Sequence, residues 1–239
     1  QVSITGNGNG NIGLDNSGSV AMGGSIDTMS GAISVNDGSN NIGLLNTNSI
    51  VTAGGNDNIF GQVTVNGIGS NNIGLDNSGS LSTGAASDVI EGQVLGDGIG
   101  IRNTTTIATG GGMDELTGSV TGVGFGIDNS GSIEMGGSSD TVTAIGDSLF
   151  TGFTGGGTIN LGAANDTIIG FGDQTIDGAS GNGDTAILGF DLDASITLGS
   201  TRNNAIDITA NGTTMSFNRV EEFVFTNGTF TVGDLIDLV

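Results

Sequence analysis

The chain has 239 residues, 48 of them Gly, and contains no Pro, Cys, His, Trp, Tyr or Lys. Three cations, Arg102, Arg202 and Arg219, stand against 25 carboxylates, for a formal charge of −22. This excludes nucleic acid as a direct partner, since nothing neutralises phosphates. It also disfavours anionic membranes and leaves no disulfide, thiolate or His/Cys metal chemistry, so any metal has to be a hard cation held by oxygen.

No stretch is long and apolar enough to span a membrane. The chain begins at Gln1 rather than Met. The expectation is a processed mature chain or a fragment whose export signal has been removed.

An internal repeat starts at once. Its copies are Asn11–Val20, Asn41–Ile50, Asn72–Leu81, Gly98–Ile107 and Gly124–Ile133, with a weaker sixth at Phe150–Ile159. An Asp follows the first apolar position of each copy at a fixed distance, giving Asp27, Asp57, Asp88, Asp114, Asp140 and Asp166. Length varies only in the other half of the repeat, at turn-rich runs such as Asn36–Asn41 and Asn66–Asn72. Each unit of 26 to 31 residues carries three short alternating stretches separated by Gly, Asn, Ser or Asp.

Three strands and three turns predict one triangular coil of a parallel β-helix, a β-solenoid, with about six such coils stacked at about 4.8 Å. The fold class is therefore all-β. Three apolar rows are expected inside: Ile12, Ile42, Ile73, Ile99 and Phe125; Leu14, Leu44, Leu75, Ile101 and Ile127; and Val20, Ile50, Leu81, Ile107 and Ile133. Between the first two runs a Gly column from Gly13 to Gly152, which allows a bend or a close backbone approach. No unit can bury its apolar face alone, so stacking supplies the core.

Residues 1–161 thus form the repeat array. Residues 162–189 change rhythm to three consecutive nine-residue units, GAANDTIIG, FGDQTIDGA and SGNGDTAIL. Residues 190–239 hold five of the ten Phe and lose the Gly columns, as a β-rich cap over the last coil should.

If the coils stack in register, the Asp side chains lie about 5 Å apart, and each pair repels by roughly 3 kcal/mol at an effective dielectric of 20. Ca²⁺ would relieve this through carboxylate and loop carbonyl oxygens; the alternative is a turn in which each carboxylate accepts backbone N–H bonds and solvent screens the rest. The candidate metal ligands are Asp27, Asp57, Asp88, Asp114, Asp140, Asp166, Asp177 and Asp184. A second ladder, Asn16, Asn46, Asn77, Asn103 and Asn129, reads as structural, its amides bonding along the stack. The residues before these Asn (Asp15, Leu45, Asp76, Arg102 and Asp128) read as exterior. Catalysis is not expected, because no His, Lys or Tyr is present to move a proton. An ice-binding row is not expected either, since its column would mix Met22, Thr52 or Ala53, Thr83, Thr109, Met135 and Leu161.

The nine-residue units resemble the RTX, or hemolysin-type, calcium-binding repeat, G-G-x-G-x-D-x-U-x with U apolar. The matching segments are Gly55–Gly61, Ala164–Gly170 and Gly181–Gly189, and the segment Val220–Phe230 followed by Gly233-Asp-Leu is similar to the one that often follows RTX arrays. Tandem nonapeptides occur only at 162–189, the second Gly is often Ala, and earlier coils have one Asp loop each. The resemblance implies Ca²⁺ held between coils by the Asp and loop carbonyls. Residues 10–160, with Ile-x-Asn-x-Gly-x-Ile as at Ile127–Ile133, resemble secreted β-helical adhesins and autotransporter passengers. Together these imply a secreted or cell-surface bacterial protein. The expected role is a Ca²⁺-stabilised, non-enzymatic subunit of a surface filament, matrix or surface layer, joined head-to-tail to its own copies through an uncapped N-terminal coil. The alternative is an adhesin passenger or calcium-binding module cut from a larger secreted protein, with carbohydrate or cell-surface contacts.

Overall fold

The computed structural model describes residues 2–6, 8–181, 183–200 and 204–238. Gln1 and Arg202, named above, lie outside them. Among the described residues the chain winds through three long sheets as a parallel β-helix. Sheet A stacks Val2–Gly6, Thr28–Val35, Asn58–Val65, Val89–Leu95, Glu115–Val120, Thr141–Ile145, Thr167–Ile169 and Thr185–Ile187 in parallel. Sheet B runs from Ile12–Asn16 through Ile42–Asn46, Asn72–Asn77, Gly98–Asn103 and Gly124–Asn129 to Phe153–Thr154, where it stops. Sheet C begins with Ser19–Ala21 and Ser49–Val51 and continues to Thr175–Asp177. Pairing keeps the repeat in register: Ile50 lies beside Leu81, Leu81 beside Ile107, and Ile107 beside Ile133.

Two of the three predicted interior rows are inside. Leu44, Leu75, Ile101 and Ile127 are fully buried, as are Ile50, Leu81, Ile107 and Ile133. The Ile12 row joins neither core: Ile12, Ile42, Ile99 and Phe125 are half-buried, and only Ile73, at 5% exposure, is buried. Gly13, Gly43, Gly74, Gly100 and Gly126 point inward at the backbone of sheet A, and the residue just before each therefore points out. The physical reason lies at the glycine: the ladder pairs Ile12 with Ile42 and Leu14 with Leu44 but skips Gly13 and Gly43. Both strands kink at that glycine, so it and the Leu after it both face inward and the two-residue alternation is broken. Ile42, Ile73, Ile99 and Phe125 instead line an open groove on the outer face of sheet B.

The glycine column is matched by a second one on sheet A: Gly31, Gly61, Gly92 and Gly118 face the carbonyls of Gly43, Gly74, Gly100 and Gly126. The two sheets touch backbone to backbone along this line. The interior is thereby divided into a main core and a small separate one of Ile33, Val35, Val63, Val65, Val94 and Val120.

Where sheet B ends, the coils shorten to 18 residues, as Thr167 pairing with Thr185 shows. Aromatic rings fill the place of the missing wall: Phe171 packs edge-on against Phe150 at 6.2 Å and Phe190 at 5.0 Å, and Phe190 meets Phe225 at 5.7 Å. Two antiparallel hairpins follow, Ala205–Ala210 with Thr213–Asn218 and Glu222–Phe225 with Gly228–Thr231. A short helix, Val232–Ile236, opens on a Thr231/Asp234 capping box. At the other end, Val2–Gly6, Ile12–Asn16 and Ser19–Ala21 each pair on one side only among the described residues. No helix among the described residues is long and apolar enough to cross a membrane.

Candidate functional site

The corner between sheets C and A holds the Asp column. The loops before Asp57, Asp88, Asp114, Asp140 and Asp166 carry left-handed backbone four and two residues upstream, as at Gly110 and Gly112 before Asp114 and at Gly136 and Ser138 before Asp140. This tight path turns the Asp inward, in phase with the buried apolar residue two positions on: Ile59 after Asp57, Ile90 after Asp88, Leu116 after Asp114, Val142 after Asp140. Asp57, Asp88, Asp114, Asp140, Asp166 and Asp184 are 0–3% exposed.

The two oxygens of each carboxylate have different fates. One accepts a hydrogen bond from the backbone N–H of the Asp one coil earlier: the Asp27 N–H donates to Asp57 Oδ1 at 2.8 Å, Asp57 to Asp88 at 2.7 Å, Asp88 to Asp114 and Asp114 to Asp140 at 2.8 Å, Asp140 to Asp166 at 2.7 Å and Asp166 to Asp184 at 2.9 Å. The other oxygen, Oδ2 of Asp27, Asp57, Asp88, Asp114, Asp140, Asp166 and Asp184, is buried with no hydrogen-bond partner. The turn alternative therefore describes half of the arrangement. The backbone bond is present, but solvent does not reach the rest.

Burial is the main reason that Asp88, Asp114, Asp140, Asp166 and Asp184 resist ionisation. It raises Asp88 and Asp114 above the ordinary carboxylate range, against the pull of the nearby Thr83 and Thr109 hydroxyls and of the backbone bonds. Asp140 is pushed up to about 7, with repulsion from Asp114 and Asp166 adding to burial. Asp166 and Asp184 reach about 6, Asp184 being burdened further by Asp166, Glu221 and Asp177. Leaving such groups charged and uncompensated is costly. A proton or a cation relieves the same strain.

Among the described residues no three carboxylates converge on one point. A cation here would take one or two Asp Oδ2 atoms and complete its shell from the loop carbonyls. Those of Gly84, Gly110 and Gly136 already each accept one N–H from the next coil, at 2.8–2.9 Å. Each carbonyl oxygen has a second lone pair, and a donor set built wholly of oxygen suits Ca²⁺ rather than a softer metal.

Asp177 lies apart from the column. It ends a strand of sheet C, where it pairs with Arg219: Nε donates to Oδ1 at 2.8 Å and Nη2 to Oδ2 at 2.5 Å. Burial pushes its pKa up, but the Arg219 bonds outweigh this and hold it below the usual value. The column's last acceptor is instead Glu221, whose Oε2 takes the Asp184 N–H at 3.0 Å. Glu221 was not among the candidates. Its signal is the same spacing, an acid two residues before a buried apolar side chain, Phe223.

At the corner between sheets B and C the Asn ladder is present as a chain of side-chain bonds. Asn16 Nδ2 donates to Asn46 Oδ1 at 2.7 Å, Asn46 to Asn77 at 2.7 Å, Asn77 to Asn103 at 2.8 Å, and Asn103 to Asn129 at 2.8 Å. Gln174, with its longer side chain, takes the Asn129 amide at 3.0 Å and closes the series. A shorter ladder, Asn11 to Asn41 to Asn72, runs at the corner between sheets A and B. It ends where Gly98 and Gly124 replace the amide. Asn103→Ala would strand the Asn77 donor and remove the donor to the Ser132 carbonyl, which now accepts at 3.0 Å. We expect a cost of about 1–3 kcal/mol, visible as a lower thermal midpoint in circular dichroism; Asn77→Ala should behave alike, and a parental melt for either variant would contradict a buried ladder.

Thr52, Thr83 and Thr109 point inward, fully buried, and bond to the carbonyls of Thr83, Thr109 and Met135 in the next coil. Asp76, read as exterior, is 3% exposed because the Arg102 guanidinium lies against it in an ion pair.

The chain is thus a parallel β-helix with an internal, partly unsatisfied carboxylate column. No protein-family model matches the chain, and no curated protein matches it in sequence.

Proposed function

We propose that this chain is a calcium-stabilised structural β-solenoid of an extracellular bacterial assembly, a subunit of a surface filament, matrix or surface layer. The observation that carries this reading is the run of seven buried Asp Oδ2 atoms without partners, from Asp27 to Asp184. Ca²⁺ placed along the column would neutralise the charge and use those oxygens together with loop carbonyls. The RTX-like motifs at Gly55–Gly61, Ala164–Gly170 and Gly181–Gly189 support the same ion and a secreted setting. The open edges of Val2–Gly6, Ile12–Asn16 and Ser19–Ala21, at the end away from the antiparallel hairpins, support stacking on a further copy.

The second reading is a calcium-binding module or adhesin passenger within a longer secreted protein. The same open edges favour it, because an upstream coil of the same chain would satisfy them equally well.

Thermal melts in chelator, millimolar Ca²⁺ and millimolar Mg²⁺ test the ion. A ligand held only by the folded state at a hundred times its Kd adds about 2.7 kcal/mol, or roughly 5–10 °C for a chain of this size. An unchanged midpoint in Ca²⁺ removes the ion from the proposal. Negative-stain microscopy of the same samples separates the two readings: filaments in Ca²⁺ support the assembly subunit, and calcium-stabilised monomers support the module.

A further inference from the structure

We propose that the groove on the outer face of sheet B is a docking site for a basic amphipathic helix of a partner protein. Its floor is the displaced row Ile42, Ile73, Ile99 and Phe125, and its volume is about 610 Å³. One rim is formed by the turns between sheets A and B. There Val123 lines the groove and is 68% exposed, and just past the groove's lining Ile68, at the equivalent turn two coils earlier, is 87% exposed. Carboxylates alternate with these apolar tips: the Ile68 N–H donates to Asp37 Oδ1 and the Val123 N–H to Asp97 Oδ1, each at 2.8 Å. The opposite rim carries Asp15, Asp76 and Asp128, with Arg102 tied to Asp76.

The occupant follows from three features. First, the floor residues come from successive coils about 4.8 Å apart. A helix lying along the solenoid presents one apolar side chain per turn of about 5.4 Å and stays in step over the four coils. An extended strand presents same-side residues about 6.8 Å apart and falls out of step at once. Second, the floor strands spend their backbone groups on their neighbours in the sheet. A sheet face offers no main-chain partner, and a helix satisfies its own backbone. Third, the chain carries a formal charge of −22, and Arg102 and Arg219 are both in ion pairs. Lys or Arg flanking the apolar stripe of the incoming helix would meet Asp97, Asp37 and Asp128. A second copy would bring the same negative charge, and its one helix among the described residues, Val232–Ile236, has five residues.

The probe is a fluorescent peptide of about 18 residues with Leu at helical spacing i, i+4, i+7, i+11 and Lys on both flanks, titrated with the full chain and read by anisotropy. Binding should weaken with salt, and a peptide with Glu in place of Lys should not bind. Val123→Ser and Ile68→Ser, both exposed and so safe for folding, should each weaken binding about tenfold, and Ile26→Ser, exposed on a different corner, should leave it unchanged. Equal affinity for the Lys and Glu peptides overturns the proposal. So does salt-sensitive binding that ignores both rim substitutions, which would mark general attraction to an acidic surface.

Discussion

Gly100→Ala should abolish cooperative folding, and Gly111→Ala should melt at or slightly above the parent's midpoint. A Cβ on Gly100 would sit 2.5 Å from the Gly126 carbonyl oxygen and 2.8 Å from the Gly118 carbonyl carbon, inside the 3.0 Å that real Cβ contacts keep. Both are backbone atoms of neighbouring strands, so no side chain can swing away. Accommodation requires sheets A and B to part, which opens the main core and the small one together. A forced backbone shift in a packed interior typically costs about 1–3 kcal/mol, and parting two sheets along their length costs more. Gly111 meets nothing within 4 Å, and there the methyl narrows the unfolded ensemble instead. Urea denaturation of both variants makes the comparison. A folded Gly100→Ala with a normal midpoint would mean that the sheets do not touch.

The second large effect concerns pH. Without divalent cations, stability should fall as pH rises from about 4 to about 7.5, and Ca²⁺ should cancel the fall. The sign follows from linkage: Asp140 binds its proton up to about 7 in the fold but only to about 3.9 when unfolded, so between those values the native state holds more protons. This group's contribution is complete below the unfolded value and is lost as pH rises toward the folded one. Asp140 alone represents roughly 4 kcal/mol, on the order of 10 °C in Tm; Asp166 and Asp184, at about 6, act in the same direction.

Two substitutions divide the roles of the carboxylate. Asp140→Asn keeps an oxygen for the Asp114 N–H and removes the charge, so it should flatten the pH profile and blunt the Ca²⁺ response. Asp140→Ala leaves that buried N–H unpaired and should destabilise at every pH by about 1–3 kcal/mol. Thermal melts across pH, in chelator and in Ca²⁺, read all of this. A flat profile for the parent chain in chelator would mean that the column is hydrated.

The repeat exposed most of this architecture because each coil samples one environment several times. An apolar residue at Ile50, Leu81, Ile107 and Ile133 reports a wall that a single copy could not. The Ile12 row departs from the expectation for a local reason: a kink at glycine leaves no mark in composition, and the pattern Ile-Gly-Leu looks like ordinary alternation. Asp177 was drawn into the site by its place in a nonapeptide, yet its coil turns at Gln174 and the carboxylate falls on the outer face beside Arg219. The unpaired Oδ2 atoms could not be read from the sequence at all, because spacing gives the order of the carboxylates and not which of their oxygens the next coil uses.

The three ladders have one sense. Every amide in the Asn series gives its proton toward the C-terminus, and every Asp backbone N–H does the same. Gln174 and Glu221 receive the last protons of the two runs. At the opposite face, no described residue donates to the side-chain oxygens of Asn16 or Asp27. The solenoid is therefore a vector with distinguishable poles, and its first coil is an acceptor pole. Asn11 at the third corner likewise only donates, so whatever seats there has to arrive with donors at all three corners, and a coil added upside down is rejected by chemistry before shape is tested.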